Sequence, residues 1–162
     1  MRAQPAQWSD VLDALVLEAA ALGDGVAWED DRARAWWDTG AVTAVAVKDG
    51  PQLIAYASAM SISPKTFNAI AEGQLDPTDL DLDHIDLART HYWVGIVVTD
   101  LGHQGKGAGR LALEELVEAL NGQCIADVYS EGGRALVEQL GWRKVRDGEH
   151  PIYVAGNLPT AP

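Results

Sequence analysis

The spacing of apolar residues predicts two helices at the start of the chain. Ser9 is the predicted cap of the first helix, and Gly23 is predicted to end it. Residues 29–37 are predicted to form the second. The apolar side chains that recur every three or four residues along the first helix are Trp8, Val11, Leu12, Leu15, Ala19 and Leu22.

The middle of the chain alternates between strand patterns and a weakly patterned connection. Residues 41–48 and 53–62 are predicted to form an antiparallel hairpin that turns at Asp49-Gly50. The connection that follows is predicted to contain a short helix opening at Pro64. Residues 92–98 are apolar on both alternating faces, which is typical of an interior strand. The predicted elements near the C-terminus are a strand over 123–129, a helix capped by Ser130, and a hairpin of 142–145 with 152–155.

Composition and charge narrow the class of protein. The chain has 162 residues, 48% hydrophobic and 22% charged, a globular mix that fits one domain. A net charge of −12 disfavours binding to nucleic acid. Asp13 and Glu18 interrupt the apolar stretch 11–22, so no signal peptide or membrane span is predicted and a cytoplasmic protein without a membrane partner is expected. The single cysteine, Cys124, is predicted to be a buried strand thiol.

The glycine-rich run 102–110 lies between a predicted buried strand and a predicted helix. A strand that leads through glycines into a helix leaves backbone N–H groups unpaired at the positive end of the helix dipole, and such a turn binds phosphate. Lys106 and Arg110 add local positive charge. Charges are screened over about 8 Å at physiological salt, so this charge can act despite the acidic chain. The sequence therefore predicts an anion site at this turn.

Two common phosphate loops fit the run poorly. In a Walker A loop the lysine is followed by Ser or Thr, but Lys106 is followed by Gly107. A dinucleotide fingerprint that began at Gly105 would need glycine where Arg110 stands, and the preceding hairpin is wrong for that fold. Both alternatives are therefore disfavoured.

The run resembles a motif of the GNAT acetyltransferase superfamily, which reads Gln or Arg, two variable residues, Gly, one variable residue, then Gly or Ala. The matching residues are Gln104, Gly105, Lys106, Gly107, Ala108 and Gly109. The order of predicted elements over about residues 8–155 is also similar to that family, and residues 136–142 resemble its Leu-Tyr-Glu-Lys-Leu-Gly-Phe segment. The resemblance implies a single α/β domain over 1–162, with a mixed, mostly antiparallel sheet and helices on both faces.

The resemblance also implies an activity, the transfer of an acetyl group from acetyl-CoA, as cosubstrate, to a primary amine. It places the diphosphate on backbone N–H groups of residues 104–109, with Arg110 near the phosphates. By position, Val97, Val98 and Thr99 would present backbone groups to the pantetheine arm and the acetyl carbonyl. No metal is implied. The partners it implies are a small-molecule or protein amine, with a homodimer left open.

Acetyl transfer to an amine needs a base for the amine proton, an acid for the leaving thiolate, and N–H donors for the developing oxyanion. The family's usual acid is a tyrosine in the last helix, but Val137 stands at that position here. Tyr129 is the candidate acid instead. His91 is the candidate base, since histidine changes charge near neutral pH. Ser130, where the family often has asparagine, is expected to contact the CoA arm, to cap its helix, or both.

The acceptor side has weaker candidates. Acidic residues 29–31 lie near the connection between the first two helices, which in this family borders the acceptor site. They either attract an ammonium group or offset the helix dipole. Trp28, Trp36 and Trp37 either wall an acceptor pocket or pack a core.

Two other functions stay open. Val137 at the acid position favours a noncatalytic acyl-CoA-binding module. The glycine run alone also fits a protein that binds a different phosphate ligand, which competition between ATP and acetyl-CoA would reveal.

Overall fold

A computed structural model describes residues 1–23 and 28–155 of the protein. The α-helices in these ranges are α1 (Trp8–Leu22), α2 (Asp30–Trp37), α3 (Pro64–Ala71), α4 (Ala108–Ala119) and α5 (Glu131–Gln139). The strands are β1 (Arg2–Pro5), β2 (Val42–Asp49), β3 (Gln52–Ile62), β4 (His91–Thr99), β5 (Gln123–Asp127), β6 (Arg143–Arg146) and β7 (Ile152–Ala155). Short 3₁₀ turns lie at Pro77–Asp79, Leu82–His84 and Leu101–His103.

The strands follow the order β1-β2-β3-β4-β5-β7-β6. The pairs β1–β2, β5–β7 and β6–β7 are antiparallel, whereas β4 and β5 are parallel. The parallel ladder joins His91, Tyr92 and Trp93 to residues 123–125, although β4 itself continues to Thr99. The predicted α/β fold with a mixed, mostly antiparallel sheet is confirmed.

The first of two compact units comprises the chain up to Ala59 together with Ile96–Ala119. Within it α4 packs against β1 and β2, and α1 packs against α2. Its apolar core draws on α1, α2, β2, β3 and β4, through Val11, Ala14, Leu15, Ala33, Ala44, Ala46, Leu53, Tyr56 and Val98. Because α1 is apolar on one face, this core accounts for the helix that the sequence predicts there.

The start of α1 differs from the prediction. The helix begins at Trp8, one residue before the predicted cap Ser9, and Gln7 is the N-cap. The Gln7 backbone N–H donates to Asp10 Oδ2 at 2.8 Å, so a carboxylate in the first turn stabilises the helix start. Gly23 ends the helix as predicted, with a φ of 93° that favours glycine.

The second compact unit comprises Met60–Gly95 and the chain from Leu120 onward. The predicted strand over 123–129 is two residues too long, because β5 ends at Asp127. Beyond it, the Val128 N–H donates to the Pro151 carbonyl at 3.0 Å. Cys124 is fully buried, as predicted, and burial raises the pKa of its thiol to about 12.

None of the helices in the described ranges has the length and apolarity that crossing a membrane requires.

Candidate active site

The glycine turn begins where β4 ends. The Asp100 N–H donates to the Ile54 carbonyl at 2.8 Å, which anchors the strand end on β3. The 3₁₀ turn that follows brings His103 Nδ1 to 2.7 Å from Asp100 Oδ2. Sequence reasoning did not foresee this pair, although its three-residue spacing is the one that such a turn brings together. The entry to the turn is therefore fixed by both backbone and side-chain contacts.

Two glycines inside the turn have the left-handed backbone. Gly105 has a φ of 79° and Gly107 a φ of 83°. A Cβ atom at either position would have no heavy atom of residues 1–23 or 28–155 within 4 Å. Glycine is therefore favoured there by the backbone conformation, and the space beside both residues is open to a ligand.

The backbone N–H groups of residues 104–110 find no hydrogen-bond acceptor in the described part of the chain. The first backbone bond that enters α4 runs from the Leu111 N–H to the Gly107 carbonyl, at 3.0 Å. The N–H groups before it are those that a helix start leaves unpaired, and they lie at the positive end of the α4 dipole. An arrangement of this kind can bind an anion such as phosphate.

The third glycine of the motif has a packing reason. A Cβ atom at Gly109 would lie 2.6 Å from Thr99 Oγ1, closer than real Cβ atoms approach such neighbours. The first turn of α4 therefore packs directly on the end of β4. Of the strand residues assigned to the pantetheine arm, Val98 is buried in the core and Val97 is 39% exposed.

The two cations of the turn differ in their partners. Arg110 Nε donates to Glu114 Oε1 at 2.7 Å, in a pair that is about half exposed. Lys106 is exposed and forms no ion pair within residues 1–23 and 28–155. Lys106 is thus the cation of this turn whose charge no described carboxylate offsets.

Tyr129, the candidate acid, lies in the second unit just beyond β5. Its ring packs on His150 with centroids 3.9 Å apart, and 42% of the residue is exposed. Its hydroxyl donates to Asp127, which also accepts the Trp93 indole N–H at 3.0 Å. Burial of the hydroxyl, followed by the charge of Asp127 and its hydrogen bond, raises the pKa of Tyr129 well above its usual range. Trp93 and His150 are far from Tyr129 in the sequence, so no local pattern predicts their contacts.

His91, the candidate base, also lies in the second unit. Its Nδ1 is 2.8 Å from Thr90 Oγ1, and its ring meets Phe67 edge-on with centroids 5.0 Å apart. One hydrogen bond and one ring contact therefore hold the imidazole in place.

Ser130 caps α5. Its Oγ accepts the Gly133 N–H at 3.0 Å, which confirms the predicted capping contact. Val137, at the position of the family's usual acid, is buried in the same helix and 5% exposed. A tyrosine substituted there would have to displace core side chains.

The Ser130 cap makes a testable contribution to stability. We expect Ser130→Ala to lower the free energy of unfolding by about 1 kcal/mol, because the first turn of α5 loses its side-chain acceptor. Ser130→Asp, which caps equally well, should restore stability in urea denaturation. An alanine variant as stable as the parent would show that the cap contributes nothing.

Residues 29–31 occupy the start of α2, with Glu29 as N-cap and two aspartates in the first turn. This agrees with the interpretation that they offset the helix dipole. Trp36 is buried, and its ring lies 5.2 Å from that of Trp28.

No protein-family model and no curated protein matches the sequence, but solved structures do. Arabidopsis thaliana NAA60 in complex with acetyl-CoA aligns with a TM-score of 0.68 and 14% identity, over 95% of this chain and 97% of the other. The ribosomal-protein-alanine N-acetyltransferase from Brucella melitensis aligns with a TM-score of 0.62 and 15% identity, over 95% and 97%. A Desulfovibrio desulfuricans protein assigned to the GNAT family gives 0.65 and 16%, over 95% and 97%.

These similarities show that the chain has the fold of the GNAT acetyltransferases. The fold that the glycine-run motif implied is therefore confirmed.

Proposed function

We propose that the protein is an N-acetyltransferase that moves an acetyl group from acetyl-CoA to a primary amine. The observation that carries this proposal is the set of backbone N–H groups over residues 104–110 that have no acceptor among the described residues, at the point where β4 leads into α4. The solved structure of Arabidopsis NAA60, which has the same fold, contains acetyl-CoA.

The residues of the turn fit an acyl-CoA diphosphate. The open space beside Gly105 and Gly107 lets phosphate oxygens reach the main chain. Lys106 has no carboxylate partner in the part of the chain that the structure describes, so its charge is available to the site, whereas Arg110 is paired with Glu114. The remaining proposed contacts are those of Gln104, Ala108 and Gly109 in the turn, Val97, Val98 and Thr99 on β4, and Ser130 on α5.

In the proposed reaction the amine nitrogen bonds to the thioester carbonyl carbon, the carbon–sulfur bond breaks, the amine loses a proton and the thiolate gains one. Positioning supplies much of the rate of such a transfer. We assign proton acceptance to His91 and proton donation to Tyr129. A tyrosine hydroxyl is protonated at neutral pH at its ordinary pKa, and the environment of Tyr129 raises its pKa further, so the hydroxyl is in the donor form.

The assignment of Tyr129 predicts a kinetic effect. Tyr129→Phe should lower kcat by about 100-fold, the lower part of the range for a lost general acid, with KM for acetyl-CoA unchanged. Tyr153→Phe is the matched control, because the Tyr153 hydroxyl donates to Glu138 at 2.7 Å and has no place in the proposed site. Equal kcat values for the two variants would remove Tyr129 from the mechanism.

The surroundings of Val137 and Tyr129 favour a second function, a noncatalytic acyl-CoA-binding module. Val137 is buried at the position where the family has its acid, and the Tyr129 hydroxyl is already hydrogen-bonded to Asp127. A high pKa also makes a phenol a poor proton donor to a thiolate. This function predicts CoA binding with no acetyl transfer.

The two functions are separated by a binding and thiol-release experiment. CoA is titrated calorimetrically, and acetyl-CoA is then incubated with a panel of polyamines, amino acids, aminoglycosides and peptides. The proposed enzyme binds CoA and releases free thiol with at least one amine. Binding without thiol release would favour the module, and binding of ATP in competition with acetyl-CoA would point to another phosphate ligand.

A further inference from the structure

Glu18 of α1 is a buried carboxyl that the proposed function does not use. Only 6% of the residue is exposed, on the helix face that also carries Val11, Ala14 and Leu15. In the described ranges it forms no ion pair, unlike Asp10, whose Oδ1 lies 2.8 Å from Lys48 Nζ. A buried carboxylate without a cation is costly, so its position calls for an explanation.

The Glu18 carboxylate links α1 to the start of α2. It accepts the backbone N–H of Trp28, two residues before α2 begins. The Trp28 ring in turn packs on Trp36 at 5.2 Å and lies 4.3 Å below the Arg32 guanidinium. The hydrogen bond therefore ties Glu18 to a tryptophan that packs on the helix following it.

The environment of Glu18 brings the pKa of its carboxyl close to neutral pH. Burial raises the pKa of Glu18 to about 7, against a smaller lowering by the Trp28 N–H. Tyr56 on β3 lies within range of both Glu18 and Asp10, and burial raises its pKa to about 12, so it stays neutral. The neighbouring elements carry further charged groups, which are the Asp10–Lys48 pair, Asp13 on α1, and Asp30, Asp31, Arg32 and Arg34 on α2.

The same elements surround the end of β4. Val98 belongs to one core cluster with Leu15 of α1 and Ala33 of α2, and Trp28 packs against that cluster. The proposed function places the acetyl carbonyl at the backbone of residues 97–99. An amine that reaches that carbonyl within this unit therefore meets elements whose mutual position depends on the Glu18 contact.

We propose that Glu18 is a positioning residue for the acceptor amine, which acts by holding Trp28 and the start of α2 beside the end of β4. The inference rests on the proposed function. It assigns the ionised carboxylate as the productive form, because a carboxylate is a stronger acceptor for the Trp28 N–H than a protonated acid.

The kinetic test compares Glu18→Gln with the parent, because glutamine keeps an oxygen acceptor but cannot titrate. The probe is the panel amine with the highest thiol release, at saturating acetyl-CoA. Between pH 8 and pH 6 the ionised fraction of Glu18 falls about tenfold. Between pH 8 and pH 6 the KM for the amine should therefore rise about tenfold more in the parent than in Glu18→Gln. The KM for acetyl-CoA should depend on pH in the same way in both proteins. Asp13→Asn, an exposed carboxyl on the same helix, is the control and should track the parent.

A second measurement needs no substrate. In the free protein the Trp28 amide resonance should move with a midpoint near pH 7, and in Glu18→Gln that movement should be absent. A ratio of KM values that is flat with pH, or a Trp28 resonance that does not titrate, would overturn the proposal. If no amine releases thiol, the proposed function and the acceptor role fail together, and the Trp28 titration distinguishes that result from an error about the Glu18 contact.

Discussion

Replacement of Gly107 by glutamate is expected to abolish CoA binding while the protein stays folded. The φ of 83° at Gly107 costs any other residue about 1–2 kcal/mol, and the new carboxylate would stand among N–H groups that are proposed to hold phosphate. Together these effects should weaken binding by at least about 100-fold, which corresponds to about 2.7 kcal/mol. The measurement is calorimetric titration with CoA, with circular dichroism to verify folding.

Two variants separate the causes of that loss. Gly107→Ala carries the backbone strain without the charge, so its affinity should fall between those of the parent and Gly107→Glu. Gly141→Glu is the matched control, since Gly141 has a φ of 80° and open space at its Cβ position but lies after α5. It should lose some stability and keep its CoA affinity. Equal affinity in Gly107→Glu and the parent would refute the proposed phosphate site.

Replacement of Glu18 by glutamine is expected to stabilise the protein at alkaline pH. In the folded state the pKa of Glu18 is raised from 4.5 to about 7, so between these values the folded chain holds a proton that the unfolded chain has released. The free energy of unfolding therefore falls as pH rises through this window. At 1.36 kcal/mol per unit, the full cost above pH 7 is about 3 kcal/mol.

Urea denaturation of the parent and Glu18→Gln at several pH values measures this cost. The difference in unfolding free energy should be near zero at pH 4, where the carboxyl is protonated in both states, and should approach about 3 kcal/mol in favour of glutamine at pH 8. Asp13→Asn, on an exposed position of α1, should show no such trend. A difference that stays constant from pH 4 to pH 8 would show that Glu18 does not titrate as described.

The elements of the fold could be predicted where local pattern and tertiary packing agree. The strand that became β4 is apolar on both faces, and the α4 helix follows glycines whose positive φ values are a local property. β1 was not predicted, because its four residues, Arg-Ala-Gln-Pro, include no β-branched or aromatic side chain and form a strand by pairing with β2. The α1 cap was placed at Ser9 because serine is a favoured cap, whereas Gln7 and Asp10 form the actual start.

In the candidate site, too, the features that depend on local sequence could be predicted and those that depend on distant segments could not. The anion turn follows from the backbone that the glycines of residues 102–109 allow, so the sequence indicates it directly. The surroundings of Tyr129 could not be predicted in the same way, because His150 and the Trp93 that donates to nearby Asp127 come from separate segments. The burial of Glu18 could have been predicted from the sequence. Glu18 follows Val11, Ala14 and Leu15 at helical spacing, which places its carboxyl on the buried face.

The most direct test of the phosphate site is a ¹H–¹⁵N NMR titration of the amides of residues 104–110. CoA should shift these amide resonances more than those of any exposed turn elsewhere, and acetyl-pantetheine, which lacks the diphosphate, should leave them in place. Shifts of equal size with both compounds, or CoA binding that leaves the amides of Gly105 and Gly107 unmoved, would contradict the account.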